Sequence, residues 1–141
     1  MSAYSNYQLE ILKRKEFGLS PKPIESFEIL NEIIKDIKRN RSNTRKESLN
    51  HLIFNTLPGT TPAAKVKAEF LKDIILNLEN IEEISIDFAF ELLSHMKGGA
   101  SVRVLLDIAF SNNKILAKKA SQVLKTCLLY TSDAADEVQW V

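Results

Sequence analysis

Apolar residues recur at steps of three and four along almost the whole chain, and strict apolar–polar alternation is nearly absent. An α-helix presents the same face about every 3.6 residues, whereas a strand does so every second residue. The pattern excludes a sheet-based fold and predicts an all-α one. The first helix is expected over residues 3–17, with Tyr4, Tyr7, Ile11 and Leu12 inward. Gly18 suits the left-handed residue that stops a helix, and Pro21 and Pro23 hold the following chain extended. A second helix, over residues 25–39, carries the stripe Phe27, Leu30, Ile33, Ile34 and Ile37.

Thr44 followed by Glu47 reads as a capping box opening a third helix, whose apolar face is Leu49, Leu52, Ile53 and Phe54. Leu57-Pro58-Gly59-Thr60 breaks it. Thr61 then caps a fourth helix with Pro62 in its first position, where no N–H is needed; its stripe is Val66, Phe70, Ile74 and Leu78. Ser85 opens a fifth, with Phe88, Leu92, Leu93 and Met96 inward, ended by Gly98-Gly99. A sixth, over 101–110, buries Val102, Leu105, Leu106 and Ala109. After the polar turn Ser111-Asn112-Asn113, a seventh starts near Lys114 with Ile115, Leu116, Ala120, Val123 and Leu124. About seven short antiparallel helices, stacked in a helical repeat, accommodate this pattern, although no period is fixed by the residues. A helical stack that stops after a few helices leaves its last face uncovered, so Leu116, Val123 and Leu124 are expected to be partly bare.

With 141 residues, length points to one domain. No apolar run approaches the roughly 20 residues that a bilayer requires, and the polar start carries no secretory apolar segment. A single cysteine permits no internal disulfide, which fits a reducing cytosol. A cytoplasmic location is therefore expected.

The tail from Cys127 to Glu137 reads Cys-Leu-Leu-Tyr-Thr-Ser-Asp-Ala-Ala-Asp-Glu. It resembles, codon for codon, the translation of a transposase-type sequencing-library adapter. The natural domain is accordingly expected to occupy residues 1–126, with 127–141 as an adapter-derived tail cutting the seventh helix short. Setting aside Asp133, Asp136 and Glu137 leaves 15 of the 18 acidic side chains against 19 basic ones, a net charge of +4 for residues 1–126. The one cysteine and the one tryptophan, Trp140, then both lie in the tail.

Few residue patterns point to chemistry. His51 and His95 lie on different helices with no cysteine near either, which falls short of the four ligands of a zinc site and favours structural or solvated roles. Asp87 and Glu91 share a helix face, but nothing nearby in sequence would shift one carboxyl relative to the other, as acid–base work requires. No serine has a histidine and acid at recognisable spacing. Gly98-Gly99 follows a helix instead of a strand, unlike a phosphate-cradling loop, and reads as a helix stop and turn, with weak anion binding at the start of the next helix as the lesser alternative. The sharpest charge feature is Lys35, Lys38, Arg39, Arg41, Arg45 and Lys46, interrupted only by Asp36. Such a cluster can neutralise phosphates of RNA or another anion. It lacks interleaved aromatic residues for base stacking, and the plainer reading is a solvated loop between helices.

Several ordered stretches carry a family resemblance: Gly18-Leu19-Ser20-Pro21-Lys22-Pro23-Ile24; Asn55-Thr56-Leu57-Pro58-Gly59 followed by Val66-Lys67-Ala68-Glu69-Phe70-Leu71; and Phe90-Glu91-Leu92-Leu93-Ser94-His95-Met96-Lys97-Gly98-Gly99. Leu105-Leu106-Asp107 and the helix from Ala117 to Leu124 continue the order. Together they resemble the N-terminal HEAT-like domain of aconitase B, the bacterial aconitate hydratases. The resemblance implies a longer parent that interconverts citrate and isocitrate through cis-aconitate on a four-iron–four-sulfur cluster, with 2-methylaconitate as a further substrate. It places cluster ligands and substrate-binding arginines in later domains, so no catalytic residue or cofactor ligand falls within residues 1–126. For the helical domain it implies contact with the remaining domains of the same enzyme, homodimer formation and shaping of access to the active site. It also implies a link to messenger RNA, which adds weight to the Lys35–Lys46 cluster. A free-standing helical adaptor or RNA-binding protein is the alternative.

Overall fold

The computed structural model describes residues 2–39 and 41–140, with side chains described as far as Cys127. Among the described residues there are seven helices: α1 (Ala3–Glu16), α2 (Phe27–Lys38), α3 (Arg45–Phe54), α4 (Pro62–Ile75), α5 (Ile86–His95), α6 (Gly99–Ala109) and α7 (Lys114–Trp140). Two isolated bridges, Ile24 with Thr56 and Ile81 with Ile84, are the only extended pairings among them. The all-α expectation holds. The chain forms two compact units, Met1–Phe70 and Leu71–Val141, the division falling inside α4.

Local chemistry accounts for most helix ends. At α1, the Ser2 hydroxyl accepts from the Ser5 N–H. Gly18, at φ +72°, closes the far end: its N–H reaches Lys15 O at 3.0 Å and the Leu19 N–H reaches Arg14 O at 2.9 Å. That pair of bonds satisfies carbonyls the helix itself leaves open. Thr61 caps α4 as expected, accepting from the Ala64 N–H at 3.1 Å. Ser85 does the same for α5 and Asn113 for α7. α4 stops earlier than its apolar stripe, because Asn77 takes φ +63° and the Leu78 N–H turns back to Asp73 O at 2.8 Å.

The glycine pair behaves differently from its reading as a stop. Lys97, at φ +45°, is the left-handed residue after α5; Gly98 is the N-cap of α6 and Gly99 its first residue. The Thr44–Glu47 capping box does not form either: Thr44 holds ψ 5° in place of an extended N-cap backbone, and its hydroxyl makes no cap bond and donates to Asp36.

In the first unit, α2 packs against α1 and α3. The proline-bearing segment runs alongside the α3–α4 connection: Ile24, 1% exposed, accepts from the Leu57 N–H and donates to Asn55 O, both at 2.7 Å. Tyr4, Tyr7, Leu30, Ile33, Ile37, Leu49 and Leu52 are buried. In the second unit α7 packs on α5 and α6, around Leu71, Ile75, Phe90, Leu93, Leu105 and Ile108.

Several residues expected inward face solvent: Leu12, Phe27, Phe54, Leu78, Leu106 and Ile115. Leu12 and Leu106 stand one residue, about 100° of helix rotation, from the half-buried Ile11 and buried Leu105. Leu78 lies past the reversal at Asn77. α6 buries Val104 and Ile108 in place of Val102 and Leu106. Of the residues expected to be bare on α7, Leu116 and Val123 are half-buried, but Leu124 is buried. The backbone of α7 is helical to Trp140; the tail's side chains from residue 128 lie outside the described residues.

Candidate functional site

All six cations of the basic run gather at the corner between α2 and α3. Lys35 and Lys38 occupy the last turn of α2, Arg39 is its C-cap, Arg41 sits in the turn, and Arg45 and Lys46 open α3. Lys35, Lys38, Arg39, Arg41 and Lys46 are exposed, and Arg45 is half-buried. Two of them also serve the fold. The Arg45 Nε donates to Ile37 O at 2.8 Å, satisfying a carbonyl near the C-terminus of α2. The Lys38 ammonium lies 5.8 Å from the centroid of the Phe70 ring. Lys35 and Lys38 meet the negative end of the α2 dipole favourably, whereas Arg45 and Lys46 meet the positive end of α3.

Asp36 resolves that second conflict. Its carboxylate is buried and receives three hydroxyls: Ser42 on Oδ1 at 2.5 Å, and Thr44 at 2.7 Å and Ser48 at 2.5 Å on Oδ2. Burial pushes the Asp36 carboxyl up, but the bonds from Ser42, Ser48 and Thr44 and the Arg39 charge outweigh it, and the group sits below its ordinary range. The Ser48 hydroxyl also shares a 2.9 Å bond with the Tyr4 hydroxyl. One acid on α2 thus ties together the turn, the start of α3 and α1.

A second polar cluster lies beside it. His51 is buried, with its Nε2 3.4 Å from Glu47 and its Nδ1 3.3 Å from the Asn55 side-chain nitrogen. Its ring meets the Tyr7 ring edge-on at 5.6 Å. The Asn55 amide donates to the Tyr7 hydroxyl at 2.6 Å, and that hydroxyl donates to Lys22 O. Burial pushes both the Tyr4 and Tyr7 phenols up. His51 is held inside the first unit by these contacts. His95 is solvated, 4.0 Å from Glu91, and Asp87 pairs instead with Lys119, whose ammonium lies 5.7 Å from the Phe90 ring centroid.

Lys67 escaped the sequence reading. It is 6% exposed on the inner face of α4, its ammonium donates to Ile53 O at 3.2 Å, and burial lowers it to about 8. The signal was present: Ala64, Lys67, Ala68 and Leu71 form an inward stripe at steps of three, one and three, with a lysine in the middle.

Among the described residues, no three His, Cys, Asp or Glu side chains stand together as a metal site. An iron–sulfur cluster needs several thiolates, and the chain has one cysteine, so it does not fit such a group by itself. No buried side-chain nitrogen or oxygen among the described residues lacks a partner. These features define an all-α domain of short packed helices with an internally satisfied polar core and a cationic corner.

Residues 6–140 match the family described as the aconitate B N-terminal domain. The chain is 32% identical over 124 residues to aconitate hydratase B of Helicobacter pylori, covering 88% of this chain and 14% of that protein. With aconitate hydratase B of Escherichia coli it shares 28% over 125 residues, again 88% and 14%. With that of Synechocystis it shares 30% over 134 residues, 94% of this chain and 15% of that one. The chain belongs to the aconitate B N-terminal domain family, and it spans about one seventh of the length of these curated relatives.

Proposed function

We propose that this chain is a non-catalytic, HEAT-like interaction domain serving a cytoplasmic aconitate hydratase, whose cluster and substrate-binding groups reside on other parts of that enzyme. The observation that carries the reading is the state of the buried titratable groups. Asp36, His51 and Lys67 are buried and each tied to hydroxyls, an amide or a backbone carbonyl within the first unit. Acid–base catalysis needs such groups free to meet a substrate. Consecutive helices packed as neighbours, α1–α2–α3 and α6–α7, support the repeat-like reading. The partners that follow are the remaining domains of the same enzyme and a second copy in a homodimer. The purified chain, given citrate after iron and sulfide reconstitution, is expected to form no cis-aconitate by ultraviolet absorbance; turnover by the chain alone would overturn the reading. Residues 1–126 are the domain proper in this proposal and 127–141 an adapter-derived tail, which sequencing the gene across codon 127 tests.

The concentration of six cations at one corner favours a second reading, contact with RNA phosphates. RNA affinity is then expected to fall steeply with salt and to drop when Lys38, Arg39 and Arg41 are changed to Ala. Equal affinity, or none in the wild type, removes this reading.

A further inference from the structure

We infer that Asp36 is a positioning residue for the cationic corner: its two carboxylate oxygens lock the 41–44 turn, so that the surrounding cations form a preset array for a phosphate chain. The inference rests on the second reading of the corner and adds what organises it. Ser42 and Thr44 both belong to the turn, and both hydroxyls donate to Asp36, while Ser48 anchors the same carboxylate from inside α3. The turn is further closed by Ser42 N–H to Arg39 O at 3.1 Å and Thr44 N–H to the Ser42 hydroxyl at 3.2 Å. Arg41 lies within this locked stretch, Arg39 precedes it and Arg45 follows it. A rigid display of charges binds with less lost conformational freedom than a loose one carrying the same charges.

Charge and order make opposite demands on Asp36, and this makes the inference testable. As a charge alone, an acid among cations weakens attraction for phosphate, so Asp36→Asn should tighten binding and steepen its salt dependence. As the lock of the turn, the same substitution should weaken binding although the net charge rises by one. Ser42→Ala leaves the charge untouched and removes one arm of the lock, and Ser42→Thr restores a hydroxyl.

The full chain and its variants, each confirmed folded by circular dichroism, are titrated with a fluorescein-labelled single-stranded RNA at several salt concentrations. Asp36→Asn and Ser42→Ala are expected to bind about threefold to tenfold more weakly than the wild type, with Ser42→Thr near the wild type. Wild-type binding with Asp36→Asn and Ser42→Ala equal or tighter overturns the lock while leaving the corner as an anion site. No salt-dependent binding by the wild type overturns both. Should Asp36→Asn fail to fold, Ser42→Ala against Ser42→Thr decides alone.

Discussion

The two halves of this chain solve the same packing problem with different materials. The first unit buries an acid, a histidine, a lysine and a serine among its apolar residues, together with two tyrosines whose hydroxyls bond inside. Among the described residues, the second buries one polar side chain, Ser101, in an otherwise aliphatic and aromatic interior. A dry core depends on volume and resists by shape. A core with polar members depends on every donor meeting its acceptor, so it is sensitive to chemistry that leaves volume unchanged.

Four substitutions probe that contrast, in order of falling effect. Phe90→Ala empties the centre of the dry unit, where Phe90 is 1% exposed. It should cost about 3–5 kcal/mol in urea unfolding; a loss under 1 kcal/mol would mean that this interior is not tightly filled. Asp36→Ala removes the acceptor of three hydroxyls and should cost about 2–4 kcal/mol at neutral pH, chiefly in the first unit, by hydrogen exchange. Because the Asp36 carboxyl is held below its ordinary range, its stabilisation is complete above the unfolded value and disappears as pH falls through the folded one. The gap between wild type and Asp36→Ala should therefore narrow in acid.

Lys67→Met should act in the opposite direction, stabilising by roughly 2 kcal/mol at pH 7. Below about 8 the buried ammonium is charged in folded and unfolded chains alike, and its desolvation opposes folding in full. From there towards 10.5 the folded chain gives up the proton first and the opposition fades. Unfolding midpoints at pH 7 and 10 should show the advantage of Lys67→Met shrinking; a constant difference would place the cause elsewhere. Gly18→Ala, at φ +72°, should cost about 1 kcal/mol through the C-terminus of α1, read as a small fall in melting temperature.

The same contrast explains what was legible in the residues. Seven helices, the stop at Gly18, the caps at Thr61 and Ser85 and the turn at 111–113 follow from local chemistry, which depends on residues a few positions apart. Burial of polar side chains does not. Tyr4 meets Ser48 across 44 positions and Tyr7 meets Asn55 across 48, and no periodicity in apolar residues anticipates such pairs. The capping box failed for this reason: the Thr44 hydroxyl is turned to donate to Asp36, on another helix, and Thr44 holds ψ 5° in place of the extended backbone of the working caps. In the basic run the charges were plain from sequence, but Asp36 read as an interruption when it is the anchor. Ile81 and Ile84, buried in the α4–α5 connection, lie outside any helix and left no stripe to find.

Asn77 and Lys97 hold backbone angles that L-amino acids adopt reluctantly, Lys97 more so than an asparagine in the same conformation. A library selected for heat tolerance should accordingly accumulate glycine at position 97 before it alters any interior residue. The least settled joints of this polypeptide are its punctuation marks, and there a single exchange can add robustness without disturbing either interior.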